Sequence, residues 1–199
     1  MHLSSWKYWG LSLAVVSLAG VGIARAQSLA GVTTTLDHTL ESKSARVGEP
    51  VTATLRESVK RDGLNLPRGT ELVGKVAAVN AAQNGGQSSL SLLFTTAKLK
   101  DGKEVPVKAT IIAAFPRSVN DSGDGSGATL GEPPQQVPSD GVFDQEPGAL
   151  SHVTMTSAVK NDESATFTSS REFKLQAGTF LQLGVGAAGA SSTGASAAE

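Results

Sequence analysis

Hydrophobic and polar positions alternate with a period of two along much of the chain between residues 32 and 114. That spacing marks strands that bury one face. Val51, Ala53 and Leu55 alternate with Thr52, Thr54 and Arg56, and residues 72–79 form a more continuous apolar run broken by Gly74 and Lys75. Leu90, Leu92 and Phe94 follow, then Val105, Val107, Ala109 and Ile111 alternate with Pro106, Lys108 and Thr110. Asn84-Gly85 and Asp101-Gly102 separate the last three runs. Both dipeptides accept the positive φ angles of tight hairpins. The pattern predicts a β-meander whose fourth strand is an edge, or is bulged, at Pro106, where no N–H is available.

The alternation stops at residues 116–162, which are rich in Gly, Pro, Asp and Ser. Such a stretch buries too little apolar surface to offset its ordering, so a long, largely mobile loop is expected. Residues 150–158 suit either a short strand or a helix. Strand character returns at 165–168 and 173–185, and residues 186–199, almost all Gly, Ala, Ser and Thr, read as a disordered tail. One heptad occurs twice: Leu66-Pro-Arg-Gly69-Thr70-Glu-Leu72 and Leu175-Gln-Ala-Gly178-Thr179-Phe-Leu181 share Leu-x-x-Gly-Thr-x-Leu. Each suits a tight turn with glycine at positive φ, after which threonine leads into a strand; a duplicated hairpin and coincidence both account for the echo. The fold class is all-β: a small barrel or sandwich of about six to eight strands, as one domain over residues 27–185.

Residues 1–26 read as a secretory signal peptide. Lys7 precedes a 13-residue apolar run at 11–23, and Ala24-Arg25-Ala26 offers small residues for cleavage before Gln27. The run is shorter than the roughly 20 residues of a membrane-spanning helix. A periplasmic or extracellular location follows, with no membrane span after cleavage. Trp6, Tyr8 and Trp9 are the only Trp and Tyr residues, so the processed chain keeps six phenylalanines as its aromatics. Interfaces, stacked bases and stacked sugars draw heavily on Trp and Tyr, so these modes of binding are disfavoured. Lys7 and Arg25 are the only charged residues in the signal; without them 15 bases face 18 acids, a net charge of −3. That balance excludes a strongly basic nucleic-acid binder. Cysteine is absent, which excludes disulfides, thiolate metal sites and thiol nucleophiles.

A family resemblance lies over about residues 47–113. Gly48-x-x-Val51-x-Ala53-x-Leu55, Leu66-Pro67-x-Gly69-Thr70-x-Leu72-x-Gly74, Gly86-Gln87-Ser88-x-Leu90-x-Leu92-x-Phe94 and Asp101-Gly102 follow in order. This series resembles the C-terminal β-barrel domain of the TrbI-like scaffold proteins of type IV secretion and conjugation machines. The resemblance implies a non-enzymatic β-barrel or sandwich exposed to the periplasm. Members of that family usually carry a cytoplasmic segment, an uncleaved membrane helix and a helical antenna; here a cleavable signal and the polar stretch 116–148 stand instead.

Candidate chemistry is sparse. The histidines after the signal are His38 and His152. Asp37-His38 invites a triad with a serine, but no nucleophile motif accompanies it. His38 either points outward from a strand or, since it shares the parity of Val32, Thr34, Leu36 and Leu40, is partly buried and hydrogen-bonded. Gly125-Ser126-Gly127 has linker composition and lacks a strand–Ser–helix elbow. Asn120, Ser122, Asp124 and Gly125 match the first half of a calcium loop, yet its twelfth position is Gly131, with Glu132 one residue late. Zinc has two distant histidines and no cysteine. Lys60-Arg61 and Lys98-Leu99-Lys100 read as solvated loop ends, the second also as charges that blunt a sheet edge. The sequence therefore nominates no catalytic, cofactor-binding or metal residue. It predicts a non-catalytic envelope structural or interaction module that meets a protein partner, or another copy of itself, through an edge strand or the loop 120–132. A small-ligand or calcium-binding module and, less well supported, a hydrolase are the alternatives. Pro67, Gly69 and Thr70 are expected to serve the fold.

Overall fold

The computed structural model describes residues 29–61, 63–82, 86–117, 131–145 and 150–188, and these are built from strands, turns and bends. Residues 1–28, where the signal peptide is expected, lie outside the described residues, as do Asn84-Gly85, residues 118–130 and the tail from residue 189 onward. The apolar alternations become strands with the expected burial. Along the chain run β1 (Leu29–Leu36), β2 (Leu40–Glu41), β3 (Pro50–Leu55), β4 (Val59–Arg61), β5 (Leu64–Leu66), β6 (Glu71–Asn80) and β7 (Ser88–Lys98). They are followed by β8 (Glu104–Phe115), β9 (Gln136–Val137), β10 (Val142–Gln145) and β11 (Thr154–Ala158). The last are β12 (Ala165–Ser169), β13 (Lys174–Leu175) and β14 (Phe180–Ala187).

Six strands close into an antiparallel barrel in the order β7–β6–β3–β1–β14–β8, with β8 returning to β7. The expected meander is present, since β3, β6, β7 and β8 are successive neighbours. Val51, Ala53 and Leu55 point inward with Leu72, Val76, Leu90, Leu92, Phe94, Val107, Ala109 and Ile111. β14 adds Leu181, Leu183 and Val185. Side chains fill the interior, as the small circumference of such a barrel requires.

The hairpin at Asp101-Gly102 forms as expected. Gly102 has φ +83°, and the Leu99 N–H donates to the Lys103 carbonyl at 2.8 Å. Hydrogen-bonded pairs alternate along an antiparallel ladder, so Thr96 and Pro106 form a non-bonded pair, the last of the β7–β8 ladder. The nitrogen of Pro106 faces the other side, at the end of β14, where its own carbonyl accepts from Ala188 N–H. No bulge forms at the proline; the register shift of β8 falls opposite Gln182 and Leu183. Because β7 lies between β6 and β8, Lys98 guards no sheet edge.

The repeated heptad folds twice in the same way. Gly69 and Gly178 have φ +81° and +89°. Thr70 N–H donates to Pro67 O and Thr179 N–H to Gln176 O, at 3.1 and 3.0 Å. These are turns with a positive-φ glycine at the third position, the type II arrangement. Gly69 N–H bonds Leu55 O while Leu55 N–H bonds Thr70 O; Gly178 N–H bonds Leu36 O while Leu36 N–H bonds Thr179 O. The exchange continues on the neighbouring strands, with Asp37 N–H on Thr52 O and Arg56 N–H on Thr33 O. A local two-fold axis therefore passes beside the paired Thr35 and Thr54. It relates β1 to β3, β14 to β6, and the β2–β13 ribbon to the β4–β5 ribbon. The single run expected at 173–185 is split by the second turn, and β14 continues two residues past Val185 by pairing Gly186 and Ala187 with β8.

The stretch 116–162 departs most from expectation. Its described part holds β9, β10 and β11, and much of it is docked on the barrel rather than loose. The reason lies on β1 and β14, where Gly31 pairs with Gly184. Their missing side chains leave a bare strip: a methyl at Gly31 would coincide with the Pro134 carbonyl, and one at Gly184 would meet Val137. β9 thus pairs with the start of β1, while Gln182 Nε2 donates to Gly131 O at 2.6 Å and Arg61 Nη1 to Gln135 O at 2.8 Å. Leu29, Val137 and Val159 form a second small core outside the barrel, joined by Ile112 and Phe143.

β10, β11 and β12 extend the sheet from β7, whose pairing with β8 has stopped by then. Side chains bridge the resulting seam. Ser164, fully buried, receives the Phe94 N–H on its hydroxyl and the Ile111 N–H on its carbonyl. Ser157 donates to Ile111 O. The Gln145 amide imitates a strand by accepting from Ala114 N–H at 2.8 Å and donating to Ala114 O at 2.9 Å.

Candidate functional site

The two-fold axis emerges in an open groove on the outer surface. One lobe, about 500 Å³, is formed by Thr35, Leu36, Asp37 and Arg56 against Ala177, Gly178, Phe180 and Arg117. The second, about 470 Å³, shares Thr35, Asp37 and Arg56 and adds Thr54, Leu55, Arg68, Gly69 and Lys100. Both turns of the repeated heptad thus form walls of one groove, and their glycines place long cationic side chains. The Cε and Nζ end of Lys100 lies across Gly69 and the Arg117 stem across Gly178, each where a methyl would stand.

Charge in the groove is one-sided, with Arg56, Arg68, Lys100 and Arg117 against Asp37. The Arg56 guanidinium stacks over Phe180, 4.7 Å from the ring centroid. Asp37 accepts a 2.8 Å hydrogen bond from the Thr54 hydroxyl, and the adjacent Glu57 accepts from Thr33 N–H at 2.8 Å. The ion pairs among the described residues, Lys43–Glu172 and Lys174–Glu41, lie elsewhere. Sequence reasoning finds no basic patch and reads only Lys100 of these four, with Lys98, as a solvated loop end, because Arg56, Arg68, Lys100 and Arg117 come from four segments that only barrel closure assembles. One signal was available: Arg68 and Lys100 each precede a turn glycine, and Gly178 repeats that turn beside Phe180.

The sequence candidates fall as follows. His38 is exposed, because β1 ends at Leu36 and the parity of the strand does not reach it. Its Nε2 lies 3.5 Å from Thr52 Oγ1, while Asp37 is bound to Thr54 and not to the imidazole. His152 is also exposed, at φ +62° in the turn before β11. Among the described residues no three His, Asp or Glu side chains gather as a metal site. The calcium-like positions Asn120, Ser122, Asp124 and Gly125, and Ser126, lie outside the described residues; Gly131 and Glu132 are described and exposed. Pro67, Gly69 and Thr70 form the first turn, and the Thr70 hydroxyl adds a 2.7 Å bond to Pro67 O.

A second feature is the edge of the sheet at β10. Val159 N–H donates to Gly141 O, so Phe143 and Gln145 are the hydrogen-bonded partners of β11. Val142 and Asp144 turn their N–H and C=O groups to the opposite side, where no strand pairs among the described residues. Val142 is 68% exposed.

No family model matches the chain, and no curated protein matches it. Among solved structures it is similar to ComB10 of the Com type IV secretion system of Helicobacter pylori, with a TM-score of 0.37 and 8% identity. The match covers 79% of this chain and 85% of that one.

Proposed function

We propose that the protein is a non-catalytic interaction module of the bacterial cell envelope, exported by the signal at residues 1–26, that captures an extended segment of a protein partner on β10. The observation that carries this reading is the open edge at Val142 and Asp144, whose backbone groups are aligned for one more strand. The exposed Val142 side chain supplies an apolar contact beside them. Pairing of β10 with a second copy is disfavoured, because a four-residue antiparallel edge brings the two Asp144 carboxylates near one another. A scaffold role of the kind found in TrbI-like proteins fits a module whose barrel interior is filled and whose working surface is external.

The test is a photo-crosslinking residue at position 142 in exporting cells. A discrete heterologous adduct is expected, and Asp144→Pro, which removes an outward N–H without touching the β11 ladder, should abolish it while leaving the thermal melt nearly unchanged. An adduct that survives Asp144→Pro, an adduct with a second copy, or none in the envelope fraction overturns the proposal.

A further inference from the structure

We infer that the groove on the two-fold axis is a binding site for an acidic peptide segment, separate from the β10 edge. Four cations converge there on a chain whose formal net charge is only −1, so the local field is built by folding and does not follow from general basicity. None of the four forms an ion pair among the described residues.

Packing places three of these side chains. Arg56 rests on Phe180, and Lys100 and Arg117 lie flat across the two positive-φ glycines. Holding them this way lowers the entropy lost when the charged ends engage a partner. Arginine presents a planar fork matched to a carboxylate, and three of the four cations are arginine.

The shape and the lone acid choose among anions. The lobes share Thr35, Asp37 and Arg56 and are open, which suits a chain lying across both rather than an enclosed small molecule. Asp37 sits at the junction, its carboxylate already accepting from Thr54. A uniform polyphosphate or sulfated polymer meets repulsion there. A peptide alternates carboxylates with backbone N–H donors, so it can place acids toward the Lys100 and Arg117 lobes and a donor toward Asp37.

The experiment measures anisotropy of a dye-labelled peptide of alternating glutamate and serine with the processed, full-length protein. Binding is expected to weaken steeply with added salt and to be absent for the glutamine–serine peptide. Lys100→Glu combined with Arg117→Glu should reduce affinity at least tenfold; if circular dichroism shows that this variant fails to fold, Arg68→Gln, on the exposed turn, should reduce it about threefold. Heparin and single-stranded DNA serve as competitors and should displace the peptide poorly. Equal binding of the glutamine peptide, unchanged affinity in the folded charge variants, or displacement by heparin at lower concentration than by unlabelled peptide overturns the inference.

Discussion

The turns at residues 67–70 and 176–179 make the same backbone hydrogen bonds and support the same barrel corner, yet they offer different chemistry to solvent. Four shared positions, two leucines, a glycine and a threonine, set the conformation. The remaining positions differ: Arg68 and Glu71 in the first turn correspond to Ala177 and Phe180 in the second. Across the axis Arg56 corresponds to Asp37 in the same manner. A symmetric backbone thus yields an asymmetric groove, because the positions that specify the turn are buried or conformational while those between them face outward.

Equivalence can be broken hardest at the leucines that close each heptad. Leu72 and Leu181 are both fully buried in the barrel core, and each Leu→Ala change should cost about 2–5 kcal/mol in chemical denaturation. Similar losses at both would support equal halves, whereas unfolding at only one would show that stability resides in a single half. Next come the glycines: Gly69→Ala and Gly178→Ala should each cost about 1–2 kcal/mol, the penalty for a side chain at positive φ. A neutral result at either would mean that its turn relaxes. A smaller difference separates the threonines, since only the Thr70 hydroxyl bonds back across its turn. Thr70→Ala should therefore exceed Thr179→Ala by about 1 kcal/mol, a difference readable from paired thermal melts.

The smallest expected effect distinguishes the short ribbons. In β2–β13, Lys174 Nζ lies 2.5 Å from Glu41 Oε1, and this hydrogen bond and charge hold the Glu41 carboxyl below its ordinary value. A folded-state value below the unfolded one stabilises at pH above the unfolded value, and the contribution fades as pH falls through the folded one. Glu41→Gln should slightly destabilise at neutral pH and match the parent in strong acid. Lys60→Gln in β4–β5, where Lys60 faces Asn65, should show no such acid-range convergence in the same denaturation series.

Much of the barrel was legible in the sequence because its strands bury one face and so keep a period of two. The runs around Val51, Leu90 and Val105 predict β3, β7 and β8, and the Asp101-Gly102 hairpin falls where its residue types require. The heptad echo foretold two like turns, though not that an axis relates them, since that depends on β14 returning to β1. The docking of residues 131–137 was hidden for a different reason. What receives this polar segment is the absence of side chains at Gly31 and Gly184, and a composition argument counts such glycines as loop formers. The groove was equally hidden, because charge clustering across four segments is a property of closure and leaves no run of like charges. His38 shows the converse limit: parity is informative only while the strand lasts.

The seam between β7 and β8 makes three amides into internal clocks. Phe94, Ile111 and Ala114 each give their proton to an acceptor supplied by the inserted strands or the turn between them, namely Ser164 Oγ, Ser164 O and Gln145 Oε1. Their deuterium uptake should follow the lifting of that insertion, while amides deep in the β6–β7 ladder wait for global unfolding. The barrel and its cover can thus be timed separately in one exchange experiment.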